Sequence, residues 1–220
     1  MKIQGKTVLL FDLDGTLTNP AKGITNSFIH ALKYFGLEIP PYEKLLTFIG
    51  PPLIDTFKTQ FGFDDEKAKL GVIKYREYFA DKGLFENEVY DGIIELLEKL
   101  KESGYRLFIA TSKPEVYSKR IAERFGFSKY FEKICGSNLD ETRSKKSEVI
   151  SYTLECACIS ESEKSKVIMI GDRHHDIDGA KETGIDCCGV LFGYGSKEEL
   201  ENAGANYIAE SVSNLEEFFL

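Results

Sequence analysis

The chain has 220 residues, 42% apolar and 29% charged, which suffices for a sizeable core and excludes a disordered or fibrous class. Its formal net charge of −8 repels nucleic acid and anionic membranes, and no lysine or arginine run is long enough to reverse that locally. No stretch approaches the roughly 20 apolar residues of a membrane span, and residues 1–6 are polar without an apolar signal region, so the expectation is a cytoplasmic monomer acting on a small molecule.

The first apolar segment, residues 7–11 (Thr-Val-Leu-Leu-Phe), is short, rich in strand formers and ends directly at Asp12. It reads as a buried strand with acidic residues at its carboxyl end. Residues 19–85 then offer helical stretches at 24–35, 53–61 and 66–79 and no convincing strand, with turns at Pro40-Pro41 and Gly50-Pro51-Pro52. That segment reads as a helical insert of 19–85 in an α/β core formed by 1–18 and 86–220, and a lid over the site is its natural role.

Beyond the insert, Ile93, Ile94, Leu96, Leu97 and Leu100 recur at helical spacing, with Asp91 suited to the N-cap and Gly104 to the stop. A second strand at 107–110 ends at Thr111-Ser112-Lys113, and Pro114 opens a helix toward Phe125. A helix over 147–156 precedes a third strand at 167–170, which ends at Gly171-Asp172. A strand near 188–191, a helix opened by Ser196 with Glu199 as a capping box, a short strand at 207–209 and a helix from Ser213 complete the chain. Strands alternating with helices imply a doubly wound parallel sheet, in which ligands bind beyond the carboxyl ends of the strands.

The chemistry-bearing residues gather at those ends. Gly15 lets the chain turn after Asp12, which brings Asp14 back toward the same site, so that one carboxylate can attack while the other handles protons. Asp12 is the expected nucleophile and Asp14 the general acid and base. Two anions facing an anionic phosphate need a hard cation, and Asp12, the Asp14 carbonyl and Asp172 are the expected magnesium ligands, with Asp176 completing or bracing the set. Thr111, the amides after it and a lysine, Lys146 ahead of Lys145, would bind the phosphoryl oxygens. His174 and His175 are not expected as ligands, because magnesium prefers oxygen. Five cysteines, with Cys156/Cys158 and Cys187/Cys188 lacking a nearby histidine or second Cys-x-x-Cys, read as buried reduced thiols.

Asp12-Leu13-Asp14-Gly15-Thr16-Leu17 resembles the first motif of the haloacid dehalogenase superfamily of phosphotransferases. Thr111 matches its second motif, Lys146 its third, though Ser147 stands where related sequences carry proline, and Gly171-Asp172 with Asp176 its fourth. The resemblance implies a Rossmann-like core, a helical cap between the first two motifs, magnesium and an aspartyl-phosphate intermediate. Through residues 48–53, Ala110-Thr111-Ser112-Lys113-Pro114 and 170–173 the chain is similar to the phosphoglycolate phosphatase-like branch, which includes bacterial 5'-nucleotidases. Substrate contacts are then expected from Thr111, Ser112 and Lys113 in the core and from Gly50 and Arg76 in the cap. The readings that compete are a phosphomutase related to β-phosphoglucomutase and a catalytically silent binding module. A dehalogenase needs neither Asp14 nor magnesium.

Overall fold

The computed structural model describes residues 2–140 and 142–220, and it divides the chain into two compact units. One runs up to Asn19 and resumes over Val89–Leu220; the other is Pro20–Glu88.

The larger unit is built on a six-stranded parallel sheet. Strand β1 (Val8–Phe11) is buried along its whole length, as a strand covered on both faces must be. After the short β2 (Thr18–Asn19) and β3 (Glu88–Val89), which pair with each other, the sheet continues with β4 (Arg106–Pro114), β5 (Lys133–Ser137), β6 (Val167–Gly171), β7 (Asp186–Val190) and β8 (Tyr207–Ala209). The spatial order is β5-β4-β1-β6-β7-β8, so the winding reverses beside β1. That reversal opens a crevice at the carboxyl ends of β1, β4 and β6.

Side chains alternate across β1. Val8 and Leu10 join Phe108, Ala110, Val167 and Met169 in one core cluster with Val149, Ile150 and Leu154 of a helix at Lys146–Cys156 and Ile177 and Ala180 of one at His174–Thr183. Phe11, on the opposite face, meets Phe131 edge-on at 6.1 Å. The remaining helices of this unit are Ile93–Glu102, Glu115–Arg124, Lys197–Ala203 and Val212–Phe219.

The smaller unit is helical: α1 (Ala21–Tyr34), α2 (Tyr42–Leu46), α3 (Leu53–Phe61) and α4 (Asp65–Phe79). Continuing that count, the core helices are α5 (Ile93–Glu102), α6 (Glu115–Arg124), α7 (Lys146–Cys156), α8 (His174–Thr183), α9 (Lys197–Ala203) and α10 (Val212–Phe219). Phe28 of α1 is the hub of the smaller unit, fully buried with ring centroids 5.0 Å from Tyr75, 5.1 Å from Phe48 and 5.5 Å from Phe57. Asp64 caps α4 by accepting from the Lys67 amide at 2.8 Å.

Several local expectations need correction. The N-cap of α5 is Gly92, in the left-handed region at φ 82°, rather than Asp91. The last helix begins at Val212, because Ser211, not Ser213, caps it by accepting from the Asn214 amide at 3.1 Å. Strand β5 and helix α2 had no counterpart in the sequence reading: β5 has a single large aliphatic residue, Ile134, and α2 is five residues between turns. The cysteines are free, as expected, but only Cys135, Cys187 and Cys188 are buried, while Cys158 is exposed. Among the described residues no helix is long and apolar enough to cross a membrane.

Phe28→Ala should cost about 3–5 kcal/mol, the range for deleting a buried aromatic ring. Urea unfolding followed by circular dichroism measures it; a loss under about 1 kcal/mol would contradict the hub role.

Candidate active site

Three adjacent strands deliver the site. Asp12 follows the last residue of β1, and its amide donates to the Ile170 carbonyl at 2.9 Å, which ties it to β6. The chain then folds back: the Leu17 and Thr18 amides both donate to the Leu13 carbonyl, at 2.9 and 3.0 Å, and Gly15 takes φ 88°. A Cβ at Gly15 would overlap the Asp172 carboxylate, so the turn needs glycine for both conformation and space. Thr111 is buried on β4, where its hydroxyl accepts from the Lys113 amide at 3.3 Å. Ser112, beside it, is half-buried.

The carboxylates of Asp12, Asp172 and Asp176 present oxygens within 4.8 Å of one another, and all three residues are buried. Lys146, at the start of α7, places its ammonium 2.7 Å from both Asp12 Oδ1 and Asp176 Oδ1 and donates to the Ala110 carbonyl at 3.2 Å. Lys145 is exposed. Asp176 also accepts from the Arg173 amide at 3.1 Å, so it caps α8 while it faces the cluster. Asp14 stands apart from the three, its carboxylate ion-paired with Lys113 and both side chains mostly buried. Its expected share in metal binding was through the main-chain carbonyl, not this carboxylate.

Electrostatics mark the cluster as short of positive charge. Burial raises the pKa of Asp172 well above the usual carboxylate range, and the neighbouring Asp176 and Asp12 add to the shift. Burial also lifts Asp176 to about 6, although Lys146 opposes it. Burial would lower the Lys146 ammonium, but Asp12 and Asp176 outweigh that and hold its pKa above normal. Asp14 is raised by burial, against the pull of Lys113.

Of the three carboxylates, two share the Lys146 ammonium, and apart from that ion pair the buried Asp12 Oδ1 and Asp176 Oδ1 accept no hydrogen bond. An all-oxygen donor set with excess negative charge suits a hard divalent cation, and magnesium fits it.

Some neighbours were not foreseen. Thr16 donates to Asp172 Oδ1 at 3.5 Å, and the Tyr194 amide donates to Asp172 Oδ2 at 2.8 Å. Glu199 does not complete the capping box at Ser196; it accepts from Arg173 Nε and the His174 amide, both at 2.9 Å, and so braces the start of α8. His174 Nδ1 lies 2.9 Å from Asp178, and the His175 ring lies tilted against that of His174 with centroids 3.8 Å apart, its pKa pulled down to about 4 by burial and by His174. Among the described residues the metal-capable cluster includes neither histidine. Gly50 and Arg76 belong to the helical unit, Gly50 at φ 107° between α2 and α3 and Arg76 on α4.

Residues 9–190 match the haloacid dehalogenase-like hydrolase family, and the chain belongs to it. A 5'-nucleotidase of Pseudomonas aeruginosa is 47% identical over 192 residues, spanning 87% of this chain and 86% of that one. The tyrosine-protein kinase PtkA of Mycobacterium tuberculosis is 36% identical over 94% of this chain and 69% of its own length. Among solved structures, a predicted phosphatase from Clostridium acetobutylicum superposes with a TM-score of 0.92 at 47% identity, covering 96% of this chain and 97% of its own.

A carboxyl whose folded pKa is raised keeps a proton that the unfolded chain has lost, so stability falls as pH rises from about 4. Metal-free Asp172→Asn should therefore be more stable than wild type at pH 7 and no more stable at pH 4. Magnesium should raise the melting temperature of wild type and leave that of the variant unchanged. Thermal scans at the two pH values check both; equal wild-type and variant stability at pH 7 would contradict the charge excess at the cluster.

Proposed function

We propose that the protein is a magnesium-dependent phosphatase that hydrolyses a small phosphate monoester through an aspartyl phosphate on Asp12. The observation that carries the reading is that Asp12 and Asp172 follow the last residues of β1 and β6 while Thr111 lies near the carboxyl end of the neighbouring β4, with Lys146 2.7 Å from Asp12. Asp12 attacks phosphorus with one carboxylate oxygen as the bond to the ester oxygen breaks. Asp14, whose burial favours its protonated form, gives that oxygen its proton. Asp14 then takes a proton from water, which attacks the phosphorus of the aspartyl phosphate, frees phosphate and restores Asp12.

Thr111, the amides of Ser112 and Lys113 and the Lys146 ammonium are suited to hold the phosphoryl oxygens in place during both displacements. Magnesium, held by Asp12, Asp172 and Asp176 with the Asp14 carbonyl, would neutralise charge on the phosphoryl group. Lys113 can exchange Asp14 for the substrate. Gly50 and Arg76, in the helical unit, are the proposed substrate contacts from outside the core.

The 5'-nucleotidase relative, at 47% identity over most of both chains, favours a nucleoside 5'-monophosphate, with 2-phosphoglycolate second. A cytoplasmic monomer remains the expected form.

Asp12→Asn should abolish magnesium-dependent phosphate release, and Asp14→Asn should lower kcat by about 10²–10⁴-fold, the usual worth of a positioned acid and base. Undiminished turnover of the Asp12 variant sinks the mechanism. In a panel of esters, kcat/KM for a 5'-nucleotide should exceed that for 2-phosphoglycolate by about 100-fold, or about 2.7 kcal/mol. The reverse order would reassign the substrate without touching the chemistry.

A further inference from the structure

The loop that follows β7 passes against Asp172, and its glycines allow it to. A Cβ on Gly193 would overlap the Gly15 carbonyl and the Asp172 carboxylate, and one on Gly195 would overlap the Asp172 main-chain oxygen. Tyr194, between them, bonds in two directions. Its amide donates to Asp172 Oδ2 at 2.8 Å, and its hydroxyl donates to Asn19 Oδ1 at 2.6 Å.

Tyr90 joins the same group. Its ring meets Phe192 edge-on at 5.5 Å, its amide donates to the Leu17 carbonyl at 3.2 Å, and its hydroxyl interacts with that of Tyr194. Burial raises both phenols, Tyr90 to about 12, so both stay protonated at neutral pH. Asn19 ends β2 and Tyr90 follows β3, which puts them at the two places where the chain leaves the core and returns to it.

We infer that Tyr194 is a positioning residue that ties Asp172, and through it the cation site, to the two chain crossings at Asn19 and Tyr90. The inference rests on the reading of Asp172 as a magnesium ligand. A carboxylate held by one fixed amide has one oxygen aimed, and the amide is only as fixed as its loop. The hydroxyl on Asn19 is what fixes the loop on its far side. Because coupling between sites is reciprocal, a cation that orders Asp172 also orders the crossings.

Tyr194→Phe keeps the amide and the ring and removes only the hydroxyl. Magnesium alone, titrated calorimetrically into the substrate-free protein, should bind about tenfold more weakly to this variant, within the range found when a partner of a metal ligand is lost. The concentration of magnesium that half-activates the enzyme should rise by the same factor, more than kcat falls. In hydrogen exchange, magnesium should slow the Tyr90 amide in wild type and not in the variant. Asn19→Ala, which removes the acceptor instead, should reproduce both losses. Wild-type affinity and wild-type protection in Tyr194→Phe would overturn the inference while leaving the site reading intact. A wild-type protein that takes up no magnesium would overturn both.

Discussion

The structure is organised around a concentration of negative charge that it cannot neutralise by itself. Asp12, Asp172 and Asp176 meet at the ends of β1 and β6, buried, with the Lys146 ammonium shared between two of them. At such distances and in such surroundings, like charges repel by several kcal/mol and each carries a desolvation penalty. Only a rigid surround can hold them there. Strand β1 is buried along its length, pinned by parallel pairing to β4 and β6, and cannot relax the clash by moving.

The same crowding explains where side chains are missing. A Cβ at Gly15 or Gly193 would meet Asp172, and one at Gly171 would meet Asp176. Gly179 of α8 serves the cation instead: a Cβ there would lie 2.9 Å from Lys146 Cγ, so its absence leaves room for the lysine stem between α7 and α8. Three ion pairs result in two separate groups, Lys146 with Asp12 and Asp176, and Lys113 with Asp14. Groups suited to attack and to proton transfer are thus kept apart although only Leu13 separates them in sequence. Stability given up at such a cluster is a common cost of a reactive site.

Much of this was legible in the sequence because parallel strands buried on both faces must be continuously apolar, and 8–11, 107–110 and 167–170 are. Where such a run stops at Asp12, Thr111 or Asp172, the polar residue lies by geometry at the carboxyl edge of the sheet. Edge strand β5 escaped notice because Lys133, Gly136 and Ser137 break any such run; Gly136 is there because a Cβ would lie 2.5 Å from the Lys113 carbonyl. Tyr194 escaped for a different reason: Gly-Tyr-Gly reads locally as a turn, and only the return of the loop past Asp172 gives it a second meaning. Glu199 matched a capping box three residues after Ser196, yet Arg173 and the His174 amide offer it a charged and a polar partner that the local Ser196 amide does not outcompete. Gly50 and Arg76 were legible only by residue type, as a glycine that permits close approach to a substrate and a cation that can reach an anion, because side-chain direction in the helical segment does not follow from periodicity.

The stereochemical course at phosphorus bears most directly on Asp12 as a covalent nucleophile. Transfer of a phosphoryl group made chiral with oxygen isotopes, first to Asp12 and then to water, comprises two in-line displacements and should give overall retention. Inversion would mean a single displacement by water and would contradict the role assigned to Asp12.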